Sequence, residues 1–524
     1  MLISYNYKTF AVGKEEDIPL SKIDRGLPGD QMEYNHKYAK WTVKQQATHP
    51  LLVGTLDVKS KYVYGMSSRG VSQYLFTPYN ESYPPFIVGC STKDKSTNKI
   101  VLVKIGVWAQ DSKFPHGDLV NTLGNCGDFL TEAKALYWQY SPWTLKKELQ
   151  IPSTTAVLPR TNKIDITKHY TINIDPAGCK DIDDVITIYK EGDATILVIS
   201  IADCADVVDC GGLIDEHACK VGQSLYSEFL PPRNMLPANL SEDVLSLIPG
   251  QTRYAVSLFV CIIDSEIVST EFKETVLINK ASFSYENVQK NAPPEFTKKI
   301  RKAADIIGCS DLEDPHKWVE SFMIYYNSMA AITLYERNVG IFRGQKESQI
   351  EKLENYENIC PELAHEAAQF TKVNGILPHY SLGLDKYCYA TSPIRRYVDI
   401  VNQRYLKSII HHEWEYLLYV NQDRDGRLIE TLNACQKAAK RHSRDDFLLK
   451  QIAENPEKIV KGIVFSVSDD DMKIRVYIPE WKRIISVRGE NHLAFDEEDE
   501  VSLRYYYNPN QTSWKNRIVF QVVI

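Results

Sequence analysis

Asp175-Pro176-Ala177-Gly178-Cys179-Lys180-Asp181-Ile182-Asp183-Asp184 is the stretch on which the reading of this chain turns. Four carboxylates fall within ten positions, after the strand-like YTINIDP and at the start of the strand-like DVITIYK. Pro176 and Gly178 favour a tight turn between the two strands. In a dry interior such carboxylates raise one another's pKa, and desolvation adds to the cost. A divalent cation removes the conflict. Magnesium takes near-octahedral oxygen ligands and keeps several waters, which suits carboxylates joined by phosphate oxygens. Two such ions can activate water and stabilise an oxygen leaving phosphorus. The spacing alone also fits a solvated acidic turn or a calcium site. The calcium loop of a helix-loop-helix module matches poorly, because the segment follows a strand and lacks the glutamate at position twelve.

Outward from this loop, TILVISIAD and YAVSLFVCII read as further strands, the latter rich enough in β-branched and apolar residues to be interior. Helical runs are expected near 288–307, 316–336, 345–357, 360–372, 394–408 and 427–453, so that 146–458 reads as one α+β block. Within it, Thr391-Ser392-Pro393-Ile394-Arg395-Arg396-Tyr397-Val398-Asp399 places Pro393 at an expected helix start, with Thr391 or Ser392 as the cap. Amides and two guanidiniums there suit a phosphate, and a surface salt bridge to Asp399 is the plainer alternative. Tyr226, Phe229, Tyr285 and Tyr389 lie close in sequence to these segments and are candidates for base stacking or for core packing.

On the N-terminal side, residues 51–145 contain LLVGTLDVKS, KYVYGMSS, SQYLFTP, PFIVGCS and KIVLVKIGVW, five short strands between turn residues. Five strands suffice for a small oligonucleotide-binding barrel. Residues 1–50 are polar and turn-rich, which fits an N-terminal arm or a truncated barrel remnant. At the other end, 459–524 returns to strands in KIVKGIVFSV, MKIRVYIPE, IISVRG and NRIVFQVVI, expected to form a second small barrel. The 524 residues carry 61 Lys and Arg against 68 Asp and Glu, a formal charge of -7, which excludes a polybasic coat but not a local basic channel. With 44% hydrophobic and 25% charged residues, the composition is that of an ordinary folded chain. No apolar run approaches the ~18 residues a membrane span needs, and the N-terminus has no signal core. The eleven scattered cysteines show no paired zinc knuckles and are read as reduced thiols.

Taken in order, IDPAGCKDIDDVITI, LVISIADCADVV, MLPANLSEDVLSLIPGQTRYAVSLFV, KASFSYENVQ, WVESFMIYYNSMAA and YCYATSPIRRYVDIVNQRYL resemble the RNB domain of the ribonuclease II/R superfamily. Within it the chain resembles the catalytic subunit of the eukaryotic exosome and its paralogues. YLFTPYNESYPPFIV and the segment that follows resemble the second cold-shock barrel of that branch, and the C-terminal strands fall where the family places an S1 domain. The resemblance implies a multidomain α+β protein, an RNB catalytic domain flanked by OB-type barrels. It further implies processive 3′-to-5′ hydrolysis of single-stranded RNA to nucleoside 5′-monophosphates with Mg2+. Carried over by position, Asp175, Asp181, Asp183 and Asp184 would form the metal site, with Asp183 indispensable. Arg395 would grip a phosphate near the 3′ end and Arg396 would help position it. Phe229 falls where the family clamps the terminal nucleotide, with Tyr226 as the alternative, and Tyr285 falls at a stacking position farther up the strand.

Three departures accompany this resemblance. Gln403 stands where the family has His, YCYA precedes TSPIRRY in place of YTHF, and Ser443 stands where bacterial relatives carry a functional glutamate. These departures and the negative charge motivate an RNA-binding scaffold of weak or no activity as the alternative function. Fewer than about 50 residues precede the first barrel, so the expectation is a chain without the N-terminal endonuclease domain and first cold-shock barrel of exosome subunits. Exosome association is thereby left open, with single-stranded RNA and an RNA-processing protein as the expected partners. The expected setting is the cytoplasm, with nucleus, mitochondrion or a virus-infected host cytoplasm as alternatives.

Overall fold

The computed structural model describes every residue except 5, 145–162, 349–355, 357–358, 361–362, 413–425, 457, 469–472, 489–493 and 524. The expected boundary at 145/146 therefore lies outside the described residues.

A seven-stranded sheet organises the middle of the chain, and its strand order is Ile164–Asp165, Glu266–Ile278, Thr252–Ile263, Ala194–Ala202, Asp184–Glu191, Thr171–Asp175 and Ala281–Ser284. All pairings are antiparallel except the outermost one at each edge, which is parallel. The runs ILVISIA and YAVSLFV are buried on both faces, which is why they read as continuous apolar strands. Helix Pro315–Glu336 packs into the same core through Trp318, Phe322, Tyr326, Ala330 and Leu334, a stripe repeating every four residues. Helix Tyr397–His411 is buried along most of its length.

The helix expected from 394 begins at Tyr397, with Arg396 at its cap and Pro393 in the preceding turn. A second correction concerns 360–372, expected to be helical: Gln369–Lys372 is a strand paired antiparallel with Ile341–Gly344, and Phe370 is the residue it buries. The run expected at 345–357 falls largely outside the described residues.

The first small barrel closes in the order Lys99–Ile105, His116–Asn125, Phe86–Gly89, Gln73–Pro78 and Leu52–Leu56, around Leu56, Phe76, Phe86, Val101 and Val103. KYVYGMSS is not one of its strands. The fifth strand is His116–Asn125, which has no fully buried residue and therefore no apolar signal. Helix Phe129–Tyr140 follows, with the Asp128 carboxylate accepting from the Thr131 amide (3.1 Å).

The C-terminal strands form a five-stranded antiparallel sheet in the order Arg483–Arg488, Lys473–Ile478, Ile459–Ser468, Glu500–Tyr507 and Ile518–Val523. Residues 1–50 form two three-stranded sheets with Leu2, Phe10, Val12, Ile18 and Ile23 between them.

A buried ion pair ties the first barrel to the C-terminal sheet. Arg517, fully buried, donates through Nη1 to both oxygens of the fully buried Glu132 (2.8 and 2.9 Å) and also bonds Tyr79 and Thr55. The long helix Leu428–Glu454 runs between these units and the large sheet, and its Asp446 accepts from Ser227 Oγ (2.6 Å) and the Glu228 amide (3.0 Å).

Candidate active site

The acidic loop is held open by its own backbone. Gly178 sits at φ +82, where a side chain would be strained, and the Cys179 amide closes a turn onto the Pro176 carbonyl (3.1 Å). Ser246 staples the far side, donating to the Lys180 carbonyl (2.7 Å) and accepting from the Ile182 amide (3.0 Å). Ile182 then points into the core, so Asp181 and Asp183 flank a buried anchor.

Asp175, Asp181, Asp183 and Asp184 line a single cleft. Asp183 is 3% exposed; its Oδ1 accepts from the Ile394 amide and its Oδ2 from Arg395 Nε, both at 2.9 Å. Burial pushes its carboxyl up to about 7 despite the guanidinium, which pulls the other way. Asp184 is pushed well above the usual carboxylate range by burial and then by the charges of Asp175 and Asp183. Asp175 is raised by burial, with a hydrogen bond from Asn173 (2.8 Å) opposing. Asp181 accepts from the Tyr226 hydroxyl and, more weakly, from the Cys179 thiol (3.6 Å). Among the described residues no cation is ion-paired with Asp175, Asp181 or Asp184.

The opposite wall is basic and aromatic. Arg395 is braced by Ser392 Oγ (3.0 Å) and its side chain keeps 43% exposure. Arg396 pairs with the buried Asp399 (2.7 Å) and lies 3.9 Å above the Tyr389 ring, so its salt bridge is an internal brace that still borders the cleft. Asp399 also accepts from the Ser392 amide (2.8 Å), which fixes the turn carrying both arginines. Tyr226 and Tyr285 line the same cleft, and the Tyr285 ring stacks on His316 with centroids 3.8 Å apart.

Phe229 does not line this cleft. It packs beside Tyr140 and Leu230 against the cluster beneath the first barrel's helix, which leaves Tyr226 as the aromatic next to the aspartates. Two residues that sequence reasoning passed over, Asn327 and Arg343, also line the site. Asn327 accepts from the Ala390 amide (2.8 Å) and donates to Thr391 and Tyr387, while Arg343 lies over Tyr389 (4.6 Å). Asn327 was detectable as a polar residue on the buried stripe of an apolar helix.

Of the three departures, YCYA contributes Tyr387 and Tyr389 to the cleft lining, and the other two lie elsewhere. Gln403 is buried and bridges backbone, donating to the Ala202 carbonyl (2.8 Å) and accepting from the Ala205 amide (3.0 Å). Ser443 is exposed on the long helix and is not part of the cleft lining.

A second acidic group, Asp203, Asp206 and Glu274, brings three ligand atoms within 4.8 Å of one another. Two ammonium groups already occupy its centre: Lys407 pairs with all three carboxylates, and Lys163 reaches them at 2.9 to 3.4 Å. With those charges compensated, the group is an ion-pair lattice and a poor cation site. The four cleft aspartates have the converse property, fewer internal cations than carboxylates.

A cleft of clustered aspartates facing paired arginines, on this sheet and beside an OB-type barrel, defines a nuclease-like class of protein. The RNB domain family matches residues 163–307 and 291–412, and the Dis3-like cold-shock domain 2 (CSD2) family matches 73–141. The chain belongs to the ribonuclease II/R (RNB) superfamily. It is 22% identical to the human exosome complex exonuclease RRP44 over 93% of its length and 60% of that protein's. The chain thus spans about 60% of the length of the curated relatives it matches. Mycoplasma genitalium RNase R in complex with ribose-methylated single-stranded RNA shares the fold at a TM-score of 0.75 and 17% identity, covering 98% of this chain and 100% of that one. Yeast Ssd1, described as a pseudonuclease, matches at 0.63 and 17% identity, covering 91% and 71%.

Proposed function

We propose that this chain is a processive 3′-to-5′ exoribonuclease that hydrolyses single-stranded RNA to nucleoside 5′-monophosphates, with Mg2+ held by Asp175, Asp181, Asp183 and Asp184. The observation that carries the reading is the meeting of these four carboxylates with Arg395, Arg396, Tyr226 and Tyr285 in one cleft. The residues fit a hard divalent cation: burial and mutual repulsion push the carboxyl pKa values of Asp175, Asp183 and Asp184 upward, as expected of carboxylates short of positive charge. Bound there, magnesium would supply the charge that activates water and steadies the departing oxygen.

The chain's own groups do the rest. Arg395 keeps guanidinium N–H groups for a phosphate while its Nε holds Asp183 in orientation. Tyr226 fixes Asp181 through its hydroxyl and offers its 44% exposed ring to the last base. Tyr285, backed by His316, offers a second stacking face. The Arg396, Asp399 and Tyr389 brace keeps the clamp from moving as the strand advances.

The test is a time course on 5′-labelled single-stranded RNA with magnesium, resolved at single nucleotides beside an Asp183→Asn control. Stepwise loss from the 3′ end that disappears in the control supports the reading, and internal cuts refute it. The second reading is a non-hydrolysing RNA-binding scaffold. It is favoured by the direct pairing of Arg395 with Asp183 and by the fold likeness to a protein described as a pseudonuclease. Intact RNA with retained binding would select it.

A further inference from the structure

Tyr226 stands beside the aspartates on a loop, 226–232, that belongs to no strand or helix. The loop is closed at its ends by the Leu225 and Arg233 backbones, which exchange hydrogen bonds in both directions (3.0 and 2.8 Å). Within it, Pro231 and Pro232 have no amide to donate, so the segment cannot build a ladder of its own. The bond from the Tyr226 hydroxyl to Asp181 is a single contact at the tip of the side chain. The backbone under that ring needs a separate hold.

Asp446, on the long helix, supplies it. Its side chain is buried and each oxygen accepts from the loop, Oδ1 from Ser227 Oγ (2.6 Å) and Oδ2 from the Glu228 amide (3.0 Å). These donors belong to the residues that directly follow Tyr226. Ser227 Oγ accepts in turn from the Phe229 amide (3.1 Å), which curls the loop around the carboxylate. The other ties are weaker or more distant. Lys450 reaches the Glu228 carboxylate (3.0 Å) at the exposed surface and holds a side chain, not the backbone. The Tyr137 hydroxyl donates to the Pro231 carbonyl (3.0 Å) at the far end of the loop. Asp446 itself is not part of the aspartate cleft's lining, so any effect it has on the site passes through the loop.

We propose that Asp446 is a positioning residue for the terminal nucleotide: through Ser227 and Glu228 it holds Tyr226 where the hydroxyl orients Asp181 and the ring meets the last base. The assignment rests on the hydrolytic function proposed above. It gives the long helix a share in the site through a residue that lies outside every motif of the sequence.

The first readout needs no hydrolysis. In EDTA, a single-stranded RNA with a fluorescent purine analogue as its 3′-terminal base reports stacking on Tyr226 by quenching. Asp446→Ala should relieve the quenching as fully as Tyr226→Ala does. Asp446→Asn should retain it, because the amide oxygen can accept from Glu228 and the amino group can donate to the Ser227 hydroxyl. The second readout is shortening of 5′-labelled RNA with magnesium. Asp446→Ala should lower kcat/KM by about ten-fold or more, since a misplacement of about 1 Å costs up to ~10²-fold. With Tyr226 already alanine, the same change should matter by less than about two-fold, because nothing is left to place. Ser227→Ala cuts the tie from the loop's side and should show the same dependence on Tyr226, which keeps the test open if the Asp446→Ala protein does not fold. An equal loss with and without Tyr226 would overturn the proposal, as would an asparagine variant as impaired as the alanine one. Quenching left intact in Asp446→Ala, or absent from the wild type, would overturn it too. Wild-type protein that quenches the terminal base in an Asp446-dependent way yet leaves RNA intact with magnesium would refute the hydrolytic function and leave the positioning role standing.

Discussion

Arg517→Met removes the cation from the joint between the first barrel and the C-terminal sheet. The side chain lost makes two hydrogen bonds to Glu132, one through Nε to the Gln511 carbonyl (2.8 Å), and further bonds to Thr55 and Tyr79. Glu132 is left fully buried with three neutral donors, the hydroxyls of Tyr79 and Tyr507 and the Gly127 amide (3.2 Å). Breaking a buried pair from one side costs about 3–5 kcal/mol, because a bare charge stays behind. The remaining donors place this case near 3 kcal/mol, at the low end of that range. A Glu132→Leu/Arg517→Met double variant removes both charges and should cost less than the two single changes together, by at least about 1 kcal/mol of coupling. Urea denaturation followed by far-ultraviolet circular dichroism, with tryptophan fluorescence as a second probe, measures all three. A single-variant cost below about 1 kcal/mol, or strict additivity in the double, would refute a charge-driven joint.

Other outcomes follow from the site. Asp183→Asn should abolish magnesium-dependent shortening of RNA while leaving the secondary structure intact by circular dichroism. The folded metal-free protein holds the Asp183 proton up to about 7, whereas the unfolded chain releases it near the ordinary aspartate value of 3.8. The folded state therefore binds more protons across that window, and this group's contribution to stability falls as pH rises from about 4 to about 7. Thermal melting of protein stripped of metal and then freed of chelator, with and without added magnesium, should accordingly show magnesium restoring more stability at pH 8 than at pH 5; an equal effect at both would count against the aspartates as its ligands. Gln403→Leu strands the Ala202 carbonyl and the Ala205 amide in the interior and should destabilise by about 2–4 kcal/mol, read by denaturant midpoint. Ser443→Ala, at an exposed helical position, should change stability by no more than about 0.5 kcal/mol.

What could be read from the sequence divides along physical lines. TILVISIAD and YAVSLFVCII announce themselves because both faces of those strands are buried. His116–Asn125 does not, since a barrel strand facing solvent needs backbone pairing and turns more than apolar side chains. Glu500–Tyr507 carried a legible alternation, Val501, Leu503 and Tyr505 inward, that charged and tyrosine neighbours obscured. At 369–372 the local pattern was silent on helix against strand, and pairing with Ile341–Gly344 decided it. The four aspartates and the two arginines were legible as residue types in tight local spacing. Phe229 was not, because which aromatic of a loop turns toward a cleft depends on what packs behind it, here Tyr140 and Leu230. Arg343 likewise reaches the cleft only through tertiary contact with Tyr389.

The hydrogen bonds that Ile394 and Arg395 give to Asp183 join residues 211 and 212 positions apart. Loop-closure entropy grows only as about (3/2)RT ln n, so the distance is cheap at equilibrium, but it orders events in time. During synthesis the acidic loop emerges long before the turn that carries the arginines. Until that turn arrives, nothing orients Asp183, and the cleft has one wall. The site is therefore completed only when almost the whole domain has been made, and a fragment ending before Thr391 would present carboxylates without the surface that gives them direction.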